Sequence, residues 1–199
     1  MTSPGLPETP ERRFWRWFQE HDETLFRFEE DRERVFDRLA QAMRRVHPDL
    51  TFEFGPDEEG RRDFVVSAGG IRDAFPAVHA LVDAAPPLPR WRVIRFRPRR
   101  DPRVVLSFGG AEVDADQVRV AVEPEGDKLG LTLVIEGYRE TREHLYEQIG
   151  YLLLDNALGE HDVETRVGTI GFVAPSEAPA GALHPLVALP GIVDGVTAG

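Results

Sequence analysis

Residues 118–137 read VRVAVEPEGDKLGLTLVIEG. Val118, Val120 and Val122 alternate with Arg119 and Ala121. Beyond EPEGDK, Leu129, Leu131, Leu133 and Ile135 alternate in the same way. Side chains two apart share one face of a strand, so both runs present an apolar face to a core. Gly126 supplies the positive φ that a tight connection asks for. The stretch therefore predicts two central antiparallel strands, and a fold organised around a sheet.

The same patterns extend outward. LTFEF (50–54) alternates, GPDEEG turns and DFVVSA (63–68) returns, which predicts a second hairpin. Gly69-Gly70 breaks it. A helix follows to about Ala84, with Pro76 in its first turn, and APPLP closes it. RWRVIRFRPRR predicts a strand from about Arg90 to Arg97, and VVLSF (104–108) a short or edge strand. Toward the N-terminus, Thr9-Pro10 reads as a helix start, with Thr as cap and Pro in the first turn. Phe14, Trp15, Trp17 and Phe18 supply a helix face. Asp22 opens a second, longer helix carrying Leu25, Phe28, Phe36, Leu39, Met43 and Val46, or the continuation of one bent helix. Downstream, Thr141 reads as a cap, Leu145, Ile149, Leu152 and Leu153 as a buried stripe, and Gly159 as a stop. VETRVGTIGF (163–172) predicts the last strand. LHPLVALPGIVDG (183–195) has poor helical continuity and reads as a coil over the body.

Strands that pair as hairpins, flanked by irregularly spaced helices, imply one α+β domain over residues 10–173. Its sheet is largely antiparallel or mixed, with packed helices. Residues 174–199 form a Pro/Ala/Gly-rich extension, packed on the domain or partly disordered.

Composition narrows the function classes. At 199 residues and 41% hydrophobic content, the chain can bury a core without staples. It has no Cys, hence no disulfide, thiolate nucleophile or cysteine metal site. The N-terminus shows no signal-peptide core and no window spans a bilayer, so the expectation is a cytoplasmic protein without a membrane partner. The net charge of -11 argues against a nucleic-acid partner.

Against that acidic background, Arg90, Arg92, Arg95, Arg97, Arg99, Arg100 and Arg103 lie within fourteen residues, with Asp101 as the one acid among them. A strand leaving the core there would present Arg95, Arg97, Arg99 and Arg100, with Trp91, at a rim. Guanidinium groups so placed can grip a carboxylate or phosphate through paired hydrogen bonds. The competing reading is pairing with the chain's own acids and protection of a sheet edge. A second candidate lies in LLLDNALGEHDVETRVG (152–168). On a regular strand, Asp162 and Glu164 share a face and His161 points away; together they make an acid–base or metal-assisted set. No metal motif is met there, and the polar residues equally suit a change of element. Gly69-Gly70 lacks the spacing of a phosphate loop and reads as a turn, and Gly109-Gly110 as a break after a strand. His79 with Asp83, and His144 with Glu140 and Glu147, read as surface pairs.

FEEDRE (28–33), VHPDLTFEFGP (46–56), FVVSAGGI (64–71) and LLLDNALGEHDVETRVG together resemble a family of uncharacterised bacterial proteins, over most of residues 14–173. The resemblance implies a bacterial cytosolic protein and carries no activity. The reading that follows is a non-enzymatic binding or interaction protein. Its partner is a protein or small anionic ligand at Trp91, Arg95, Arg97, Arg99 and Arg100. It has no cofactor and no metal, and a homodimer is the assembly to expect if one forms. The alternative is a hydrolase using His161, Asp162 and Glu164.

Overall fold

The computed structural model describes residues 8–196 and shows an α+β architecture with mixed and antiparallel sheets. The chain gathers into two compact units, divided in sequence between Phe96 and Arg97.

The first unit opens with α1 (Pro10–Glu20), capped by Thr9, whose hydroxyl accepts from the Arg12 amide at 3.3 Å. The helical run expected from Asp22 is split into α2 (Asp22–Phe26), a 3-10 turn and α3 (Arg32–Arg44). Strands β1 (Thr51–Phe54) and β2 (Arg62–Ser67) form the antiparallel hairpin. Helix α4 (Phe75–Asp83) then carries the chain to β3 (Trp91–Arg95), which lies parallel to β2. The sheet order is β1-β2-β3. Strand β2 is central, and Phe64, Val65 and Val66 are each at most 1% exposed, as a strand covered on both faces must be.

The core of this unit is aromatic. Phe64 sits 4.9 Å from Phe18, 5.6 Å from Phe54 and 6.0 Å from Trp15, ring centre to ring centre. Buried indoles need an acceptor for their N–H, and both find one. Trp15 donates to the Leu81 carbonyl at 2.7 Å and Trp91 to Asp22 at 2.6 Å. The basic strand ends earlier than its pattern suggested: Phe96 still donates its amide to the Val66 carbonyl at 2.8 Å, but its φ of 61° turns the chain out of the strand conformation.

The second unit contains the hairpin with which the sequence was read. Strands β4 (Val105–Phe108) and β5 (Ala111–Asp114) pair first. Gly109 and Gly110 have φ of 56° and 74°, so they form the two-residue turn of a hairpin and not a simple break. Strands β6 (Arg119–Glu125) and β7 (Lys128–Val134) follow, with Gly126 at φ 65° between them. Helices α5 (Glu143–Leu158) and α6 (Glu160–Arg166) cross to β8 (Val167–Val173), parallel to β7. Arg142, not Thr141, stands at the N-cap of α5.

The stretch read as a terminal coil is integrated into this unit. β9 (Leu183–Pro185) pairs with β6, giving the order β8-β7-β6-β9. It is followed by α7 (Leu189–Val196), whose Pro190 falls in the first turn, where proline is tolerated. Leu186, Leu189 and Val193 are buried in a core shared with Leu131, Leu133, Ile149 and Leu153. The remainder of the extension, 197–199, lies outside the described residues.

Replacing Phe64 by Ala removes the ring on which Phe14, Phe18 and Trp15 converge. The expected loss is about 3–5 kcal/mol in chemical denaturation; a loss below about 1 kcal/mol would show that this aromatic core does not hold the first unit.

Candidate functional site

The two candidates read from the sequence meet at one pair, Arg99 and Asp162. Helix α5 stops at Gly159, with φ 79°. A Cβ on this residue would lie 3.1 Å from the Arg97 carbonyl oxygen and 3.2 Å from the Arg99 nitrogen, so glycine is required by backbone conformation and by close approach. The approach brings RPRR against the junction of α5 and α6. Glu160 is fully buried; its carboxylate accepts from the Arg97 amide at 3.1 Å, and its own amide donates to the Arg97 carbonyl at 3.0 Å. The Arg100 amide donates to the Asn156 carbonyl at 2.7 Å.

The side chains complete the clasp. Arg97 donates to Asp155 at 3.2 Å. Arg99 donates through Nε to the Leu158 carbonyl at 2.9 Å, at a helix C-terminus where a cation is favoured. Its two terminal nitrogens hold Asp194 in a bidentate pair, each at 2.8 Å, and one of them also reaches Asp162 at 2.5 Å. Arg166 adds contacts to Asp194 at 3.2 Å and to Asp162 at 3.4 Å. The hydrogen bond to Asp194 raises the Arg99 pKa above the ordinary guanidinium range, and the same bond holds the Asp194 carboxyl below its usual value.

The other rim residues are occupied too. Trp91 is 3% exposed and belongs to the core of the first unit, where Arg95 pairs with Asp83. Arg90 bonds Asp22 and Glu23, and Arg92 bonds Asp63.

The alternative set changes geometry because residues 160–166 are helical, where a strand was expected. On a helix, residues two apart do not face each other, so Asp162 and Glu164 diverge. Asp162 is taken up by Arg99 and Arg166, with His161 Nδ1 at 3.4 Å from it. Lys128 caps this short helix by donating to the carbonyls of Glu164 and Val167. Among the described residues, no three His, Asp or Glu side chains converge as a metal-ligand set. At Gly69-Gly70 the first amide is spent on the Ser67 hydroxyl at 2.9 Å, and both residues have positive φ, as a turn requires.

A groove that the sequence reading passed over lies between α1 and the end of α3. Its volume is about 480 Å³, and its lining includes Arg13, Phe14, Arg16, Trp17, Ala42 and Arg45. Positions 10, 13, 17 and 20 fall on one stripe of α1, because residues three and four apart are neighbours on a helix. Phe14 and Ala42 are buried and Trp17 is half-buried, while the three arginines are exposed. Arg16 pairs with Glu8 at 3.0 Å. Arg13 and Arg45 form no ion pair or side-chain hydrogen bond with any described residue. The Trp17 ring stacks on His21, centres 4.6 Å apart and 25° between planes. His21 donates from Nδ1 to the Trp17 carbonyl at 2.7 Å and accepts from Arg38 at Nε2 at 2.7 Å, an arrangement that suits the neutral ring. The signal was present in ERRFWRWFQE, where arginines interleave with aromatics, and in Arg44-Arg45. Reading those aromatics only as a core face hid the arginines between them.

No protein-family model, curated protein or solved structure matches the chain. No described helix is long and apolar enough to cross a membrane.

Two measurements check the clasp. Glu160→Gln keeps an acceptor for the Arg97 amide and should cost about 1 kcal/mol or less, whereas Glu160→Ala leaves that donor unmet and should cost roughly 1–3 kcal/mol more in urea unfolding. Equal costs would mean that the Arg97 bond contributes nothing. Asp194, depressed in the folded state, contributes stability above its unfolded pKa that is lost as pH falls through its folded pKa. Asp194→Asn should therefore lower the thermal midpoint at neutral pH and flatten its fall below about pH 4. An unchanged acid limb would remove Asp194 from the clasp's energetics.

Proposed function

We propose that the protein is a binding protein whose ligand carries an anionic group on an apolar or aromatic body, and that the ligand enters the groove between α1 and α3. The observation that carries this reading is that Arg13 and Arg45 line the groove, beside Glu20, without an ion pair to any described residue, in a chain of net charge -11. The arginines of β3 and of the segment after it are largely engaged by the protein's own acids. A guanidinium left unpaired beside an apolar floor offers planar, directional donors to carboxylate or phosphate. Phe14, Ala42 and the half-buried Trp17 offer the apolar contact that a bare ion would not use. The volume is in the range of small-molecule sites. This reading keeps the binding class expected from the sequence and puts the ligand at the first and third helices instead of at residues 91–100.

Phenyl phosphate tests the reading, with inorganic phosphate as the comparison, by calorimetry and by quenching of tryptophan fluorescence. Saturable binding of phenyl phosphate is expected, tighter than that of inorganic phosphate. Arg13→Ala combined with Arg45→Ala should weaken it tenfold or more, a loss of at least about 1.4 kcal/mol. Trp17→Leu should weaken phenyl phosphate more than inorganic phosphate. Absence of saturable binding at millimolar concentration, or an unchanged affinity in the double variant, would overturn the proposal.

A further inference from the structure

Strand edges expose unpaired amides and carbonyls, and proteins blunt them with charge, proline or short length. In the first unit, β1 is four residues long and carries Glu53, and β3 carries Arg92 and Arg95. In the second, β9 is three residues long and ends in Pro185. β8 differs from all of these. It is seven residues long, reads VGTIGFV, holds no charge and no proline, and among the described residues has β7 as its one neighbour in the sheet.

The orientation of its main chain follows from a single bond. The Val173 carbonyl accepts from the Ile135 amide at 3.0 Å, so Val173 turns its main-chain groups toward β7. Direction alternates along a strand, so Gly171 does the same, while Ile170 and Phe172 turn their amides and carbonyls outward. The ladder with β7 is irregular between Leu129 and Leu131 and regular from Ile170 to Val173, so the outward-facing groups sit on a straight segment.

We propose that a second copy of this chain pairs with β8, antiparallel, about a two-fold axis at Gly171. A two-fold contact requires the surface to complement itself. Here it does. Ile170 meets Phe172 of the other copy and Phe172 meets Ile170, each a β-branched residue against an aromatic, a favourable cross-strand pair. Both are outward-facing, so each pair exchanges both of its main-chain hydrogen bonds. Gly171 meets its own counterpart at the axis, where strands come closest and side chains would crowd. Thr169 meets Val173. No charge is brought against its own kind, which matters in a chain of net charge -11. Beside the strand, Tyr151 on α5 packs edge-on to Phe172, ring centres 5.6 Å apart, yet remains 45% exposed, and Leu152 is 44% exposed. Tyr151 is thus a large side chain left at the surface beside the strand.

Sedimentation equilibrium of the purified chain tests this, with circular dichroism to verify folding. The wild-type protein is expected to be a dimer at micromolar concentration. Ile170→Pro removes an outward amide that β7 does not use, and Gly171→Lys places two like charges at the axis itself, at a position where an added side chain meets only Thr132 at ordinary contact distance. Each should shift the equilibrium to monomer by tenfold or more with an unchanged spectrum. A monomeric wild-type protein would overturn the proposal, and so would a dimer that persists in Gly171→Lys.

Discussion

The second unit is organised by a reciprocal pair of hydrogen bonds between Arg97 and Glu160. Both use main-chain groups: the Arg97 amide to the Glu160 carboxylate, and the Glu160 amide to the Arg97 carbonyl. A buried carboxylate is costly unless its lone pairs are met, so the burial of Glu160 fixes where residues 97–100 run. That path sets Arg99 against the end of α5, and Arg99 in turn holds Asp162 on α6 and Asp194 on α7. Charges that resemble an active site in the sequence thereby become the fastening of three helices. The energetic logic is one of satisfaction more than attraction: exposed ion pairs contribute little, whereas an unmet buried partner is expensive.

This internal use of charge bears directly on binding. A guanidinium already engaged by two carboxylates and a carbonyl has few donors left for a ligand. Arg99 is in that position, and Arg13 and Arg45 are in the opposite one. The groove also combines charge with an aromatic wall, held by the stacking of Trp17 on His21 and by the His21 bonds to the Trp17 carbonyl and Arg38. A wall fixed before the ligand arrives costs less entropy on binding than one ordered by it.

The sheet was the legible part of the fold. Period-two alternation marks β6, β7, β1 and β2, and Thr9, Gly126 and Gly159 act where turn and cap chemistry places them. Both units also use one connection, a hairpin followed by a helical crossover to a strand parallel to the second, although no sequence repeat announces it. What misled was local. VETRVG has β-branched residues suited to a strand, yet Glu160 and its tie to Arg97 commit residues 160–166 to a helix, and tertiary context overrides propensity. The C-terminal strand and helix were missed because Pro190 reads as a breaker unless the helix is known to begin one residue earlier. The site was less legible than the fold. Seven arginines in fourteen residues drew the eye, but whether each has a partner is a property of chain topology, since Asp155, Asp162 and Asp194 lie far along the sequence.

Chemical-shift mapping on isotopically labelled protein distinguishes the two sets of arginines in one experiment. Phenyl phosphate should move the backbone and side-chain signals of Arg13, Trp17 and Arg45 in a saturable way, and leave Arg97, Arg99 and Arg100 in place. Saturable shifts centred on residues 97–100, with the groove unmoved, would contradict the account.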